Sequence, residues 1–235
     1  MQSDAGEMMR VARKLWDHGL HQPPTAPGSP VFSKYGLGQS LADLLVAWTL
    51  PWGERLGPVP EHLYANLVAG ALPAATQAAS VALVMLLTIG FGYRPRVGVA
   101  VALLLAFATM HPVYGLLPWA EPTMGLCWLL ALWAMQRWWQ DGRLTWLMVV
   151  GSATGFAALT KVVGGLAWPV LVGLAVVLIH RRQAKTSDYL AARWRAWLAL
   201  DLPLLAALAL MIGWNWVRYG TISQTGYDHD RDGTM

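Results

Sequence analysis

From Leu63 to Tyr93 the chain carries no formally charged side chain, a stretch longer than the roughly 20 residues a helix needs to cross about 30 Å of hydrocarbon. A segment of that kind has few places to go. In lipid it must be helical, because each backbone N–H and C=O has to find its partner inside the segment. The pattern then repeats along the chain. Arg94 and Arg96 are followed by an uncharged block from Val97 to Ala120 whose strongly apolar part ends near His111 and Pro112, and then by a block from Pro122 to Gln136. Two shorter blocks, Leu144 to Thr160 and Val162 to Ile179, are separated by Lys161 alone and read as two helices meeting in a tight turn. A last block runs from about Ala196 to Val217 and carries Asp201 near one end. The expected fold is all-α, a polytopic transmembrane helical bundle of about six spans.

Composition agrees, since only 13% of the residues are charged, about half the share of a soluble domain. Many of the 14 tryptophans sit where apolar blocks end (Trp119, Trp138, Trp139, Trp146, Trp194, Trp197, Trp214, Trp216), the headgroup level that amphipathic rings prefer. The lone Cys127 lies inside an apolar block, so internal disulfides and cysteine zinc clusters are excluded and a lipid-facing or packing role is expected. A net charge of +4 does not point to nucleic acid, because the basic residues fall in short loops and form no polar face.

Those loops set a topology. One side collects Arg94, Arg96, Arg137, Arg143, Arg181, Arg182, Lys185, Arg193 and Arg195; the other has only Lys161, Arg218 and Arg231 among its short connections and tail. Cytoplasmic loops hold the excess of Lys and Arg. The His111–Glu121 loop, the Lys161 turn, the tail after Arg218 and residues 1–62 are therefore expected outside the cytoplasm. No apolar run of signal length lies in the first sixty residues, so a transmembrane helix is expected upstream of Met1 and further protein beyond Met235. Three regions follow: residues 1–62 as an extracytoplasmic loop of amphipathic helices, 63–218 as the bundle, and 219–235 as the start of another external loop.

Within the first region, Met8, Val11, Ala12 and Leu15 fall at helical spacing opposite Glu7, Arg10, Lys14 and Asp17, which predicts a surface helix. Four prolines between His21 and Pro30 deny regular structure. Ser33 to Ser40 then leads into a semi-apolar helix from Leu41 to Leu50.

Several ordered stretches carry a resemblance. Asp4 is followed by Ala12-Arg13-Lys14-Leu15-Trp16-Asp17-His18-Gly19; then come Phe32-Ser33-Lys34-Tyr35-Gly36-Leu37-Gly38, Ala108-Thr109-Met110-His111-Pro112-Val113-Tyr114 with Glu121-Pro122, Gly155-Phe156-Ala157-Ala158-Leu159-Thr160-Lys161, and Asn215-Trp216-Val217-Arg218-Tyr219-Gly220 with Thr225-Gly226-Tyr227. In order and topology the chain resembles the polytopic GT-C glycosyltransferases, in particular the bacterial branch similar to protein mannosyltransferases and the aminoarabinose transferase. The family's first loop often has Asp-Glu where this chain has Asp4-Ala5, with an acid returning at Glu7.

The resemblance implies transfer of a sugar from a polyprenyl-phosphate donor to a glycan, lipid or protein acceptor at the outer face of a bacterial inner membrane. It implies Asp4 as catalytic base, taking the acceptor's proton. It implies Lys34, Tyr35, Glu121, Lys161 and Arg218 as substrate-binding residues, with the cations stabilising the departing phosphate at a low-dielectric boundary. No metal ligand is assigned and no cofactor is required, with a divalent cation left open. Plainer roles stand beside these: a solvated terminus for Asp4, a snorkelling helix end for Lys161, a helix-dipole partner for Glu121, interfacial positions for His111 and Tyr114, and an N-terminal charge preference for Asp201. A polytopic transporter or a non-catalytic membrane fragment is the rival reading. Transporters place charges near mid-membrane or break helices in matching repeats, whereas here the charges gather at the outer ends of the spans.

Overall fold

The computed structural model describes residues 37–44, 48, 61–110, 113, 120–183, 189–219 and 222. They are helical, with no strand among the described residues. A short helix, α1, covers 37–44. Six longer ones follow: α2 Glu61–Gly90, α3 Pro95–Phe107, α4 Ala120–Asp141, α5 Leu144–Thr160, α6 Ala167–Gln183 and α7 Tyr189–Tyr219, with a 3₁₀ turn at Val162–Leu166 between α5 and α6. Each predicted block has its helix. The stretches Gly70–Gly90, Val163–Arg181 and Arg193–Trp216 are long and apolar enough to cross a membrane, and α3 and α5 are shorter apolar helices.

The turns explain where helices stop. α2 ends at Gly92, whose φ of 91° suits a residue without Cβ, and its N–H donates to the Ile89 carbonyl at 2.9 Å. Pro95 then opens α3 at a position where no N–H is needed. At the end of α4, Gly142 takes φ 77° and the Asp141 carboxylate accepts from the Arg143 N–H and the Trp146 indole at 3.0 and 2.8 Å. Those donors, the Arg143 N–H foremost, hold the Asp141 carboxyl below its usual range. The α4–α5 hairpin is further closed by an edge-to-face pair of Trp133 and Trp146, with the Arg137 guanidinium over the Trp146 ring.

Contacts fix the helix directions. Gln136 and Gln140 of α4 donate to the Leu87 and Gly90 carbonyls at the end of α2, both at 3.1 Å, so α2 runs parallel to α4. Gly151 of α5 meets Leu200 of α7 and Gly155 meets Ala207, so α5 and α7 run parallel as well. The outer core lies among α4, α5, α6 and α7, around Met135, Trp138, Leu147, Ile179 and Leu200. Around it, Leu103, Leu104, Phe107, Val170, Leu202, Leu205 and Leu210 are exposed, a belt too continuous for a chain facing water.

Some expectations need adjusting. α3 stops at Phe107, before His111. Trp138 and Trp214 are buried in the bundle, so these two rings pack against protein instead of headgroups. Cys127 is buried too, a packing residue. Asp201 does not sit at a helix start, because α7 begins at Tyr189, about three turns earlier, and the dipole account of its position fails.

Small residues permit the α5–α7 contact. A Cβ on Gly151 would lie 2.2 Å from the Leu200 carbonyl oxygen, and one on Gly155 would lie 2.6 Å from Ala207 Cβ. This is the small-xxx-small packing that membrane helices use to bring backbones together. Gly151→Leu is expected to cost about 3 kcal/mol by overpacking, read as a lowered unfolding midpoint in detergent, whereas Gly173→Ala, whose added Cβ meets nothing within 4 Å, leaves the midpoint unchanged.

Candidate functional site

Helix α5 stops because Lys161 leaves helical space, at φ −154° and ψ 137°. Its N–H still reaches the Ala157 carbonyl at 3.2 Å, and its own carbonyl accepts from the Gly164 N–H at 2.7 Å to start the 3₁₀ turn. The turn folds back so tightly that a Cβ on Gly164 would sit 2.2 Å from the Ala157 oxygen. From α4, the Trp128 indole donates to the Gly164 carbonyl at 3.3 Å.

That arrangement aims the lysine. Lys161 Nζ lies 2.5 Å from Glu121 Oε1, and the two side chains are 27% and 38% exposed. Glu121 sits in the first turn of α4, where the helix dipole also favours a carboxylate. The pair therefore joins the start of α4 to the end of α5, half inside the bundle, where solvent screening is weaker than at an open surface.

The Tyr35-Gly36-Leu37-Gly38 stretch reaches the same place through its last glycine. A Cβ on Gly38 would lie 2.5 Å from both the backbone nitrogen and Oγ1 of Thr160, so α1 rests directly on the residue before Lys161. Beyond Gly38, the side chains of Gln39, Ser40 and Asp43 are buried. Gln39 Nε2 donates to Asp43 Oδ1 at 2.9 Å, while Gln39 Oε1 has no hydrogen-bond partner. Burial pushes the Asp43 carboxyl up to about 7, against the opposing pull of the Gln39 hydrogen bond.

Two apolar cavities flank the pair. The larger, about 440 Å³, lies between α2, α3 and α4 and has Glu121 and Pro122 at one end, with Trp128, Leu129 and Leu132 further along. The smaller, about 120 Å³, lies between α5, the 3₁₀ turn, α6 and α7 and is lined by Leu159, Gly165, Trp168, Leu208 and Met211 among others.

Of the residues expected at the site, Glu121 and Lys161 are brought together. Arg218 lies on the last turn of α7; since α7 parallels α5, it stands at the same end of the bundle, about 16 Å along the axis from Ala207, against about 9 Å from Gly155 to Lys161. Asp4, Lys34 and Tyr35 lie outside the described residues, as do His111 and Tyr114. Among the described residues no three His, Cys, Asp or Glu side chains come together as metal ligands would. Gln39, Asp43 and Trp128 escaped the sequence reading. Only the first two left a signal, a polar pair four residues apart on an otherwise apolar helix.

A raised carboxyl makes stability depend on pH. The folded chain keeps the Asp43 proton up to about 7, while the unfolded chain releases it near the ordinary carboxyl value. Between those limits the unfolded state binds fewer protons, so the stabilisation present in acid is lost as pH rises. Relative to Asp43→Asn, the wild-type chain is expected to lose about 3 kcal/mol between pH 5 and pH 8, measured by denaturant unfolding in detergent; a constant difference would contradict the assignment.

A sequence profile of the dolichyl-phosphate-mannose-protein mannosyltransferases matches residues 63–214, from early α2 to the outer part of α7. No curated protein and no solved structure matches the chain. The matched segment includes Glu121, Lys161, Gly151 and Gly155 and spans well over half of the sequence. With a helical membrane bundle that carries a cation–carboxylate pair at the joint of two helices, the chain belongs to the dolichyl-phosphate-mannose-protein mannosyltransferase family of GT-C glycosyltransferases.

Proposed function

We propose that this membrane glycosyltransferase carries out transfer on the extracytoplasmic face of a bacterial inner membrane, at the end of the bundle where Glu121, Lys161 and Arg218 lie. Family membership gives a polyprenyl-phosphate sugar as donor. The observation that carries the reading is the Lys161–Glu121 pair. It holds one ammonium at a fixed point near the membrane boundary, where a departing lipid phosphate would need charge. The side is inferred from the loops: Arg94, Arg96, Arg137, Arg143, Arg193 and Arg195 belong to the opposite end of the bundle, the pattern of cytoplasmic connections.

In this reading the acceptor's hydroxyl or amine attacks the anomeric carbon of the donor sugar, Asp4 takes its proton, and the bond from that carbon to the phosphate oxygen breaks. The lipid phosphate leaves with the electron pair. Lys161 stabilises that charge at a site fixed before the reaction begins, so little reorganisation is needed as it develops. Glu121 positions the ammonium. Lys34 and Tyr35, three and four residues before Gly38, are proposed to contact the donor beside the Thr160 contact, and Arg218 is a second cation at the same end. A resident metal has no step in this scheme.

The test is transfer of labelled sugar from a polyprenyl-phosphate donor by the protein in vesicles. Lys161→Met is expected to lower kcat by about 10²–10³, with Lys161→Arg retaining part of the rate. Asp4→Asn is expected to lower it by about 10²–10⁴. Unchanged turnover in Lys161→Met would remove the lysine from the phosphate site, and unchanged turnover in Asp4→Asn would remove that residue as base.

A further inference from the structure

The two cavities beside the ion pair are separate, and the proposed donor has a use for only one of them. The smaller is bordered by Leu159 and Gly165, two and four residues from Lys161, and suits the chain of a lipid whose phosphate meets that lysine. The larger opens at Glu121 on the far side of α4. Between them stands the Trp128 indole, which lines the larger cavity and bonds to Gly164, the neighbour of Gly165 in the smaller one.

Resting on the donor reading above, we infer that the acceptor is itself a membrane lipid with a hydroxyl or amine head, and that one of its acyl chains lies in the groove between α2, α3 and α4.

Three features argue for an acyl chain as the occupant. From Glu121 to Leu132 the groove descends about 16 Å along α4, roughly half of a 30 Å hydrocarbon layer and so the depth of one leaflet. Its walls are apolar at that depth: the Ser80 hydroxyl, which borders it, is turned inward onto the Thr76 carbonyl at 2.9 Å. Its outer end is a carboxylate, which attracts a group that donates hydrogen bonds and repels a phosphate. An amphiphile with a donor head and a single straight chain matches both ends. The chemistry is that of the proposed reaction: the lipid's oxygen or nitrogen bonds to the anomeric carbon, its proton passes to Asp4, and the donor's phosphate leaves.

Glycines give a clean test. A Cβ on Gly125, in the larger groove, meets nothing within 4 Å, and one on Gly165, in the smaller, meets only Ala158 Cβ at 3.9 Å. Gly125→Leu and Gly165→Leu therefore fill one cavity each without forcing the helices apart. In vesicles, a phosphatidylethanolamine with a photoreactive diazirine in one acyl chain is expected to label the 125–132 stretch of α4 above the level on lipid-facing Leu103. Gly125→Leu should cut that labelling about tenfold, the equivalent of about 1.4 kcal/mol in affinity, and Gly165→Leu should leave it unchanged. A polyprenyl phosphate with the same photoreactive group should label 204–211 of α7 and lose that labelling in Gly165→Leu.

Acyl labelling of α4 no stronger than at Leu103, or unaltered by Gly125→Leu, would overturn the inference, as would occupation of the larger groove by the polyprenyl probe. If the polyprenyl probe labels neither stretch while the acyl probe behaves as expected, the donor reading falls and the acyl-chain groove stands.

Discussion

The bond between Lys161 and Glu121 is the contact on which the functional end of this bundle depends. It connects residues forty positions apart, one where α5 breaks and one where α4 begins, and it does so at half-burial. An ion pair on an open surface is worth little. Here its value lies in position: a flexible side chain with four rotatable bonds is held in one place, next to a turn already fixed by Trp128 and Gly164. Thr160, the residue before the lysine, is closed off by Gly38 of α1. A cation so constrained is suited to a charge that appears only during reaction.

The rest of the fold makes that end rigid. In a bilayer the hydrophobic effect does little to join helices, so close packing and internal hydrogen bonds must do it. Gly151 and Gly155 let α5 and α7 approach at backbone distance. At the other end, Gln136 and Gln140 satisfy carbonyls that the last turn of α2 would otherwise leave without partners. α4 is the common element, touching α2, α5 and α6, and it carries both Glu121 and Trp128. Movement at the basic end is thus transmitted along one central helix to the ion pair.

Much of this was legible in the sequence because hydrocarbon imposes a simple rule. Uncharged blocks gave each long helix, and Lys161, a lone charge between two apolar runs, marked the turn and the site. Its partner was not legible, since nothing in a one-dimensional string ties Glu121 to a residue forty positions on. The Gly155 to Lys161 stretch was read for its resemblance, yet its first glycine serves helix packing. Trp138 lies at the end of an apolar block like its interfacial neighbours, and only the rotation of α4 turns it inward. Asp201 misled because apolarity, and not helicity, set the expected start of α7. Asp43 was visible as a polar residue four positions after Gln39, but a single carboxylate in a short semi-apolar helix gives no sign of its burial until α1 is docked.

The central claim is that the Lys161–Glu121 end faces the exterior. Because the single native cysteine, Cys127, is buried, a cysteine placed at exposed Val163 can be tested in intact cells with a membrane-impermeant thiol reagent, beside a second placed at Val97, next to Arg96. Labelling at 163 without permeabilisation, and at 97 only after it, is the predicted result. The reverse pattern would put the ion pair inside the cell, away from the outer face where transfer is proposed, and would contradict the account.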